Sequence, residues 1–279
     1  MHFHLVLLAL LVSLSGSSAT LPRSECTIMR NQSDVPPVAL VSGCPERMEL
    51  ICNETAGYVD HCDVHTAFRG FKVWIATLLS GEQITIVNSG LGGQAMAFIV
   101  EELAAFGVRV AVNLGTGDLP HLSDPTRCSI MTSYEGCVGL MRDYGWPEAE
   151  WGRRFEADAQ VTATLKQFAA ADPNVTLQLE HGYDVSAFYS FFDPEHVAYN
   201  MTVVDELIAD YNRSGATMRD MESAALYLVG HMRGMRVGAV EQAVDKSNLH
   251  PGQHANIGTV GIPFTLRALS ELARAEREA

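Results

Sequence analysis

Basic residues are scarce in this chain: 19 Lys and Arg stand against 33 Asp and Glu, giving a formal net charge of −14 and a pI near 5.1. A surface of that sign repels phosphate polymers and anionic lipid, which argues against nucleic-acid or membrane binding. An anionic small ligand would have to be met by local positive groups. The spacings of common metal sites are missing too, with no C-x-x-C pair and no H-E-x-x-H, so no metal is expected. Beyond the first residues no further apolar run of membrane-spanning length occurs. No internal repeat, low-complexity tract or Gly/Ser linker divides the chain. What is present is 279 residues at 47% hydrophobic content and mean hydropathy +0.07, enough to bury one substantial core.

Residues 1–19 read as a secretory signal. An apolar run from Leu5 to Leu14 is followed by the small-x-small pattern Ser17-Ser18-Ala19, although only His2 and His4 stand where basic residues are usual. Secretion agrees with sequons at Asn31, Asn53, Asn174, Asn200 and Asn212, and with six cysteines that all follow the cleavage point. The even count suggests disulfides. Their connectivity is open, with Cys52–Cys62 and Cys128–Cys137 close enough in sequence to pair. A mature, extracellular domain over residues 20–279 is the expectation.

Strand and helix signals alternate along that domain. Val38 to Val41 reads as a buried strand, Pro45 to Asn53 as a helix, and Phe71 to Leu79 with Gln83 to Val87 as an antiparallel hairpin. Gly90-Leu91-Gly92-Gly93 opens a helix over Gln94 to Phe106, and Arg109 to Leu114 is the next strand. Strands at Ser129–Ser133, Thr176–Glu180 and Val237–Val244 then interleave with helices at Glu156–Ala171, Val203–Tyr211, Met221–Gly230 and Ile257–Glu278. The pattern implies a single three-layer α/β/α domain. Near its C-terminal third, Arg219-Asp220-Met221-Glu222-Ser223 places a carboxylate and a thioether where an extended run turns into a helix, the place where α/β folds put ligands. Such a pair suits a ribose, the carboxylate taking vicinal hydroxyls and Met221 covering an apolar sugar face. The plainer alternative is a carboxylate favoured by the helix dipole.

Taken in order, these motifs resemble the nucleoside phosphorylase family, which includes purine nucleoside phosphorylases, uridine phosphorylases and related nucleosidases. The resemblance runs from about Val38 to Ala275. It is densest from Arg69 to Leu119, through Phe71, Trp74, Ala76, Leu78 and Gly81, Ser89-Gly90-Leu91-Gly92-Gly93 and Val100-Glu101-Glu102-Leu103, where it looks most like the uridine phosphorylases. The resemblance implies a mixed, partly barrel-like sheet wrapped by helices, an obligate homo-oligomer, a nucleoside as the small-molecule partner, and no cofactor beyond phosphate as co-substrate. Gly43 and Arg47, in Gly43-Cys44-Pro45-Glu46-Arg47, fall on the family's phosphate loop, with Cys44 replacing its aspartate. Arg69 matches an arginine that relatives extend into a neighbouring subunit's phosphate pocket. Thr116 falls where phosphate and ribose bind, and Met221 with Glu222 on the ribose pair. Asp245 matches the aspartate that protonates a departing purine, and Phe188 stands where an aromatic stacks on a base. Each has a structural alternative: a helix arginine at Arg47, a surface arginine at Arg69, a cap at Asp245, a core ring at Phe188.

Two departures from the family bear on chemistry. Phosphorylases carry arginine where this chain has Asn113, and an amide lacks the permanent charge and donor fork that suit a phosphate dianion; the nucleosidases, which use water, have asparagine there. Where uridine phosphorylases read uracil with Gln and Arg, this chain has Phe192 and Pro194. The expectation is cleavage of a nucleoside's N-glycosidic bond, phosphorolytic because Arg47 and Arg69 call for an anion. Hydrolysis is the alternative that Asn113 suggests, and a catalytically silent binding or storage protein the third. Glycosidic cleavage passes through an oxocarbenium-like sugar, so Glu222 is the residue expected to stabilise developing positive charge.

Overall fold

In the central strands both faces are covered, which is why they read as unbroken apolar runs. Strand β1 (Val38–Ser42) sends Val38 and Leu40 to one core and Ala39 and Val41 to the other. Strand β5 (Val110–Asp118) divides Val110, Val112 and Leu114 from Ala111 in the same way. Helices α2 (Gly93–Ala105) and α8 (Ser223–Arg233) close the first core, through Met96, Val100 and Leu228. The second is closed by α1 (Pro45–Ile51), α4 (Ala159–Ala170) and α9 (Ile262–Glu278), through Met48, Leu165 and Phe264. This computed structural model describes residues 20–30, 32–119, 124, 126–244 and 258–279, so residues 1–19, Asn31 and Asp245 lie outside it.

The sheet is mixed and partly closed on itself. Strands β6 (Arg127–Glu135), β8 (Thr176–Asp184), β9 (Met218–Asp220) and β10 (Arg236–Val244) join β5 in a ring of five, in the order β5-β9-β8-β6-β10 and back to β5. Outside the ring, β1 pairs in parallel with β5 and with β4 (Gln83–Asn88). The sheet then continues through β3 (Phe71–Leu78) to β2 (Val59–Phe68), while β7 (Phe155–Glu156) pairs with β6. The expected three layers and partly barrel-like sheet are therefore present.

Differences from the sequence reading have local causes. The β3–β4 hairpin forms as expected, Trp74 opposite Ile86. Strand β2 left no apolar signature because most of its residues are exposed. Helix α4 begins at Ala159 rather than Glu156, because Glu156 is paired with Ser133 on β6 and Asp158 caps the helix by accepting from the amides of Gln160 and Val161.

Among the cysteines, Cys52 and Cys62 form a disulfide with Cα atoms 5.3 Å apart, tying the end of α1 to β2. The alternative Cys128–Cys137 pairing is not found: both thiols are free and buried. Cys128 lies near the start of β6 and Cys137 just beyond its end, and the extended strand between them, at roughly 3.3 Å per residue, spans more than about 20 Å.

Helix α2 carries two carboxylates of the conspicuous Val100-Glu101-Glu102-Leu103 run, and both are structural. Glu101 makes a two-pronged pair with Arg233, and buried Glu102 accepts from the amides of Thr27, Ile28 and Met29, fixing the N-terminal segment.

Candidate active site

Four strand ends deliver the site. The chain leaves β1 through Gly43-Cys44 into α1, β4 through Ser89-Gly90-Leu91-Gly92 into α2, and β9 through Met221-Glu222 into α8, while β5 ends in Gly115-Thr116-Gly117-Asp118. Gly92 sits at φ 89°, a left-handed conformation that favours glycine, and this turns its amide toward Glu222, which accepts from it at 2.7 Å.

That bond settles what Glu222 does not do. The helix-capping role at the start of α8 belongs to Asp220, which accepts from the Ser223 amide at 2.9 Å, and Glu222 makes no side-chain cap bond to its own helix. Its carboxylate is released to the space between two neighbouring cavities. One, of about 590 Å³, is lined by Gly43, Arg47, Arg69, Gly90, Thr116 and Glu222 among others. The second, of about 340 Å³, takes Thr116, Phe188, Phe192, Arg219, Met221 and again Glu222. Leu91, Thr116 and Glu222 belong to both.

Most of the residues singled out in the sequence thus converge. Arg47 is 5% exposed; its Nη1 donates to Ser42 Oγ at 2.8 Å and to the Leu114 carbonyl, so the guanidinium is held on the cavity floor. Burial lowers its pKa, with Glu241 and Glu222 acting against that shift. Arg69 is exposed at the tip of the β2–β3 hairpin, in the left-handed region at φ 54°, and lines the rim of its own chain's cavity. Phe188 lies on the short helix α5 (Phe188–Phe192), at 4.5 Å between centroids from Phe192.

Asn113 does not line either cavity. It is 1% exposed beneath the floor, its Nδ2 donating to Ser223 Oγ at 2.9 Å and to Glu241 Oε1 at 3.0 Å. Glu241 and Arg219 were not selected from the sequence. Glu241 is fully buried on β10, and its signal was a charge inside the apolar run Val237–Val244. A Cβ on Gly115 would overlap the Glu241 carboxylate. Gly115→Ala is therefore expected to destabilise the fold by about 1–3 kcal/mol through overpacking, read as a lower urea midpoint. An unchanged midpoint would contradict this placement.

Three buried carboxyls, Asp184, Asp220 and Glu241, crowd this region with the half-buried Glu222. Burial, foremost in each case, raises Asp184 to about 7, Asp220 to about 6 and Glu222 to about 7, and pushes Glu241 upward as well. The folded state consequently holds protons that the unfolded chain releases above about pH 4, so stability is fully present at low pH and declines as pH rises through 6 to 7. For Asp184 alone, raised from 3.8 to about 7, the difference corresponds to about 4 kcal/mol. Urea unfolding should give a lower midpoint at pH 8 than at pH 5; a rise over that interval would refute the buried carboxyl cluster.

Comparison with known proteins gives the family. The family model described as "Phosphorylase superfamily" matches residues 37–262. The chain belongs to the nucleoside phosphorylase family. It is 33% identical over 206 residues to uridine phosphorylase from Klebsiella aerogenes, covering 73% of this chain and 78% of that one. It is 29% identical over 215 residues to uridine phosphorylase from Treponema pallidum, covering 75% and 77%. The fold is shared with the crystal structure of purine nucleoside phosphorylase from Toxoplasma gondii in complex with immucillin-H, at a TM-score of 0.71 and 19% identity over 87% of this chain and 93% of that one. This family member is an enzyme of nucleoside phosphorylase type.

Proposed function

We propose that the chain cleaves the N-glycosidic bond of a nucleoside by phosphorolysis, releasing the free base and a pentose 1-phosphate. The observation that carries this reading is the meeting of two cavities at Glu222, one furnished with Arg47 and Arg69 and the other with aromatic rings. Phosphate would lie between the two guanidinium groups and the backbone around Gly43 and Gly90, the ribose across Met221 and Glu222, and the base toward Phe188. Attack then comes from the face opposite the base, and the ionised Glu222 carboxylate, holding ribose hydroxyls, stabilises the oxocarbenium-like sugar. Asp245 would protonate the departing base; it lies outside the described residues. Arg69, exposed at a hairpin tip, would be shared with a second copy of the chain in a homo-oligomer.

Hydrolysis is the second reading, and the commitment of Asn113 to Ser223 and Glu241 favours it, because the floor offers phosphate no third cation there. The test is base release from nucleosides in phosphate and in phosphate-free buffer. Phosphorolysis predicts release only with phosphate; equal release without it selects hydrolysis, and no release in either supports a silent binding protein. We further propose secretion of the mature chain. The Cys52–Cys62 disulfide and the exposed sequon asparagines Asn53, Asn174, Asn200 and Asn212 support it.

A further inference from the structure

Arg219 occupies the aromatic end of the second cavity, and neither the family pattern nor the reaction scheme assigns it a role. It stands on β9 opposite Asp118 of β5, and its Nη2 donates to the Asp118 carboxylate. Its guanidinium carbon lies 4.9 Å from the Phe192 ring centroid, 5.2 Å from that of Phe191 and 5.2 Å from that of Tyr211. The side chain is 13% exposed, and its Nε is buried without a hydrogen-bond partner among the described residues. Nη2 is given to Asp118 and Nε is enclosed, so the group left to face the cavity is Nη1, which makes no hydrogen bond among the described residues; a cation fixed by one carboxylate and three rings is pre-organised to offer that donor to an acceptor. The positions matching the family's base-reading Gln and Arg are Phe192 and Pro194, which offer no side-chain hydrogen bond. Asp118 is 4% exposed and already engaged by Arg219, so it is poorly placed to accept from a ligand amino group.

We propose that Arg219 is the base-recognising residue of this enzyme and selects nucleosides whose base presents a carbonyl oxygen to it, as uracil and hypoxanthine do, over those presenting an amino group, as cytosine and adenine do. A guanidinium carries donors and no acceptor, so a carbonyl completes the Arg219 fork, whereas an exocyclic amine sets donor against donor in a largely desolvated pocket. The inference rests on the glycosidic reading above and adds the substrate class to it.

The test compares kcat/KM for uridine, cytidine, inosine and adenosine in wild type and Arg219→Gln. Wild type is expected to favour each oxo base over its amino counterpart on the order of 100-fold. Glutamine, which both donates and accepts, should bring the ratio within about tenfold, chiefly by weakening KM for the oxo substrates. Equal wild-type rates on oxo and amino substrates, or an Arg219→Gln variant that slows all four alike, would overturn the inference while leaving glycosidic cleavage intact. Absence of base release from all four would overturn the glycosidic reading and this inference together. Inhibition of the wild type by free bases gives a readout that does not depend on the variant folding: uracil and hypoxanthine should inhibit at far lower concentration than cytosine and adenine, and equal inhibition would overturn the proposal.

Discussion

Glu222→Gln is expected to lower kcat for nucleoside cleavage on the order of 1,000-fold while the KM for nucleoside changes much less; this is the largest effect the site geometry implies. The amide keeps the size of the side chain and an acceptor for the Gly92 amide, so the loop entering α2 retains its anchor. What disappears is the negative charge, which matters most when the sugar becomes cationic in the transition state. The environment sharpens the expectation. Burial and then Asp220 raise Glu222 to about 7, so in wild type the ionised form, the active one on this proposal, gains population as pH rises through 7. The acid limb of the kcat/KM profile should accordingly have its midpoint near 7, above the ordinary carboxylate range, and should disappear in Glu222→Gln. Steady-state kinetics between pH 5 and 9 on both proteins checks this. A variant with kcat within tenfold of wild type would show that Glu222 holds no developing charge.

On the phosphorolytic proposal, Arg47→Met should raise the KM for phosphate and lower kcat/KM for phosphate by about 100-fold, corresponding to roughly 2.7 kcal/mol, the size of a strong charge-assisted hydrogen bond. Arg47 is buried and fixed by Ser42 and Leu114, so it presents its charge without reorganisation. Methionine fills much of the same volume but leaves the Leu114 carbonyl short of a partner, so a modest loss of stability is expected as well. Arg47→Lys separates the two roles: it restores a positive charge without the planar fork and should recover phosphate affinity in part. If Arg47→Met leaves the phosphate KM unchanged, the anion binds elsewhere.

The residues legible in the sequence are those that sit where one strand turns into one helix. Gly43 and Arg47, the Gly90–Gly93 turn and the Met221-Glu222 pair are of this kind, Thr116 lies near the end of β5, and local punctuation with a family resemblance was enough to find them. Residues whose role depends on pairing across the sheet were not legible. Arg219 meets Asp118 because short β9 lies antiparallel to the end of β5, and Glu241 meets Asn113 because β10 runs parallel to β5. Neither adjacency is encoded within a local window. The same reason explains Asn113, which could be marked as a departure from the family but not as a group turned away from the cavity. Strand β2 escaped because an exposed outer strand needs no alternating apolar face.

The most direct measurement is a crystal structure of the protein with phosphate and a non-cleavable nucleoside analogue. Phosphate is expected between Arg47 and Arg69, the ribose hydroxyls on Glu222 and the base beside Phe188 and Arg219. A nucleoside bound away from Glu222, or a phosphate that avoids Arg47, would contradict it.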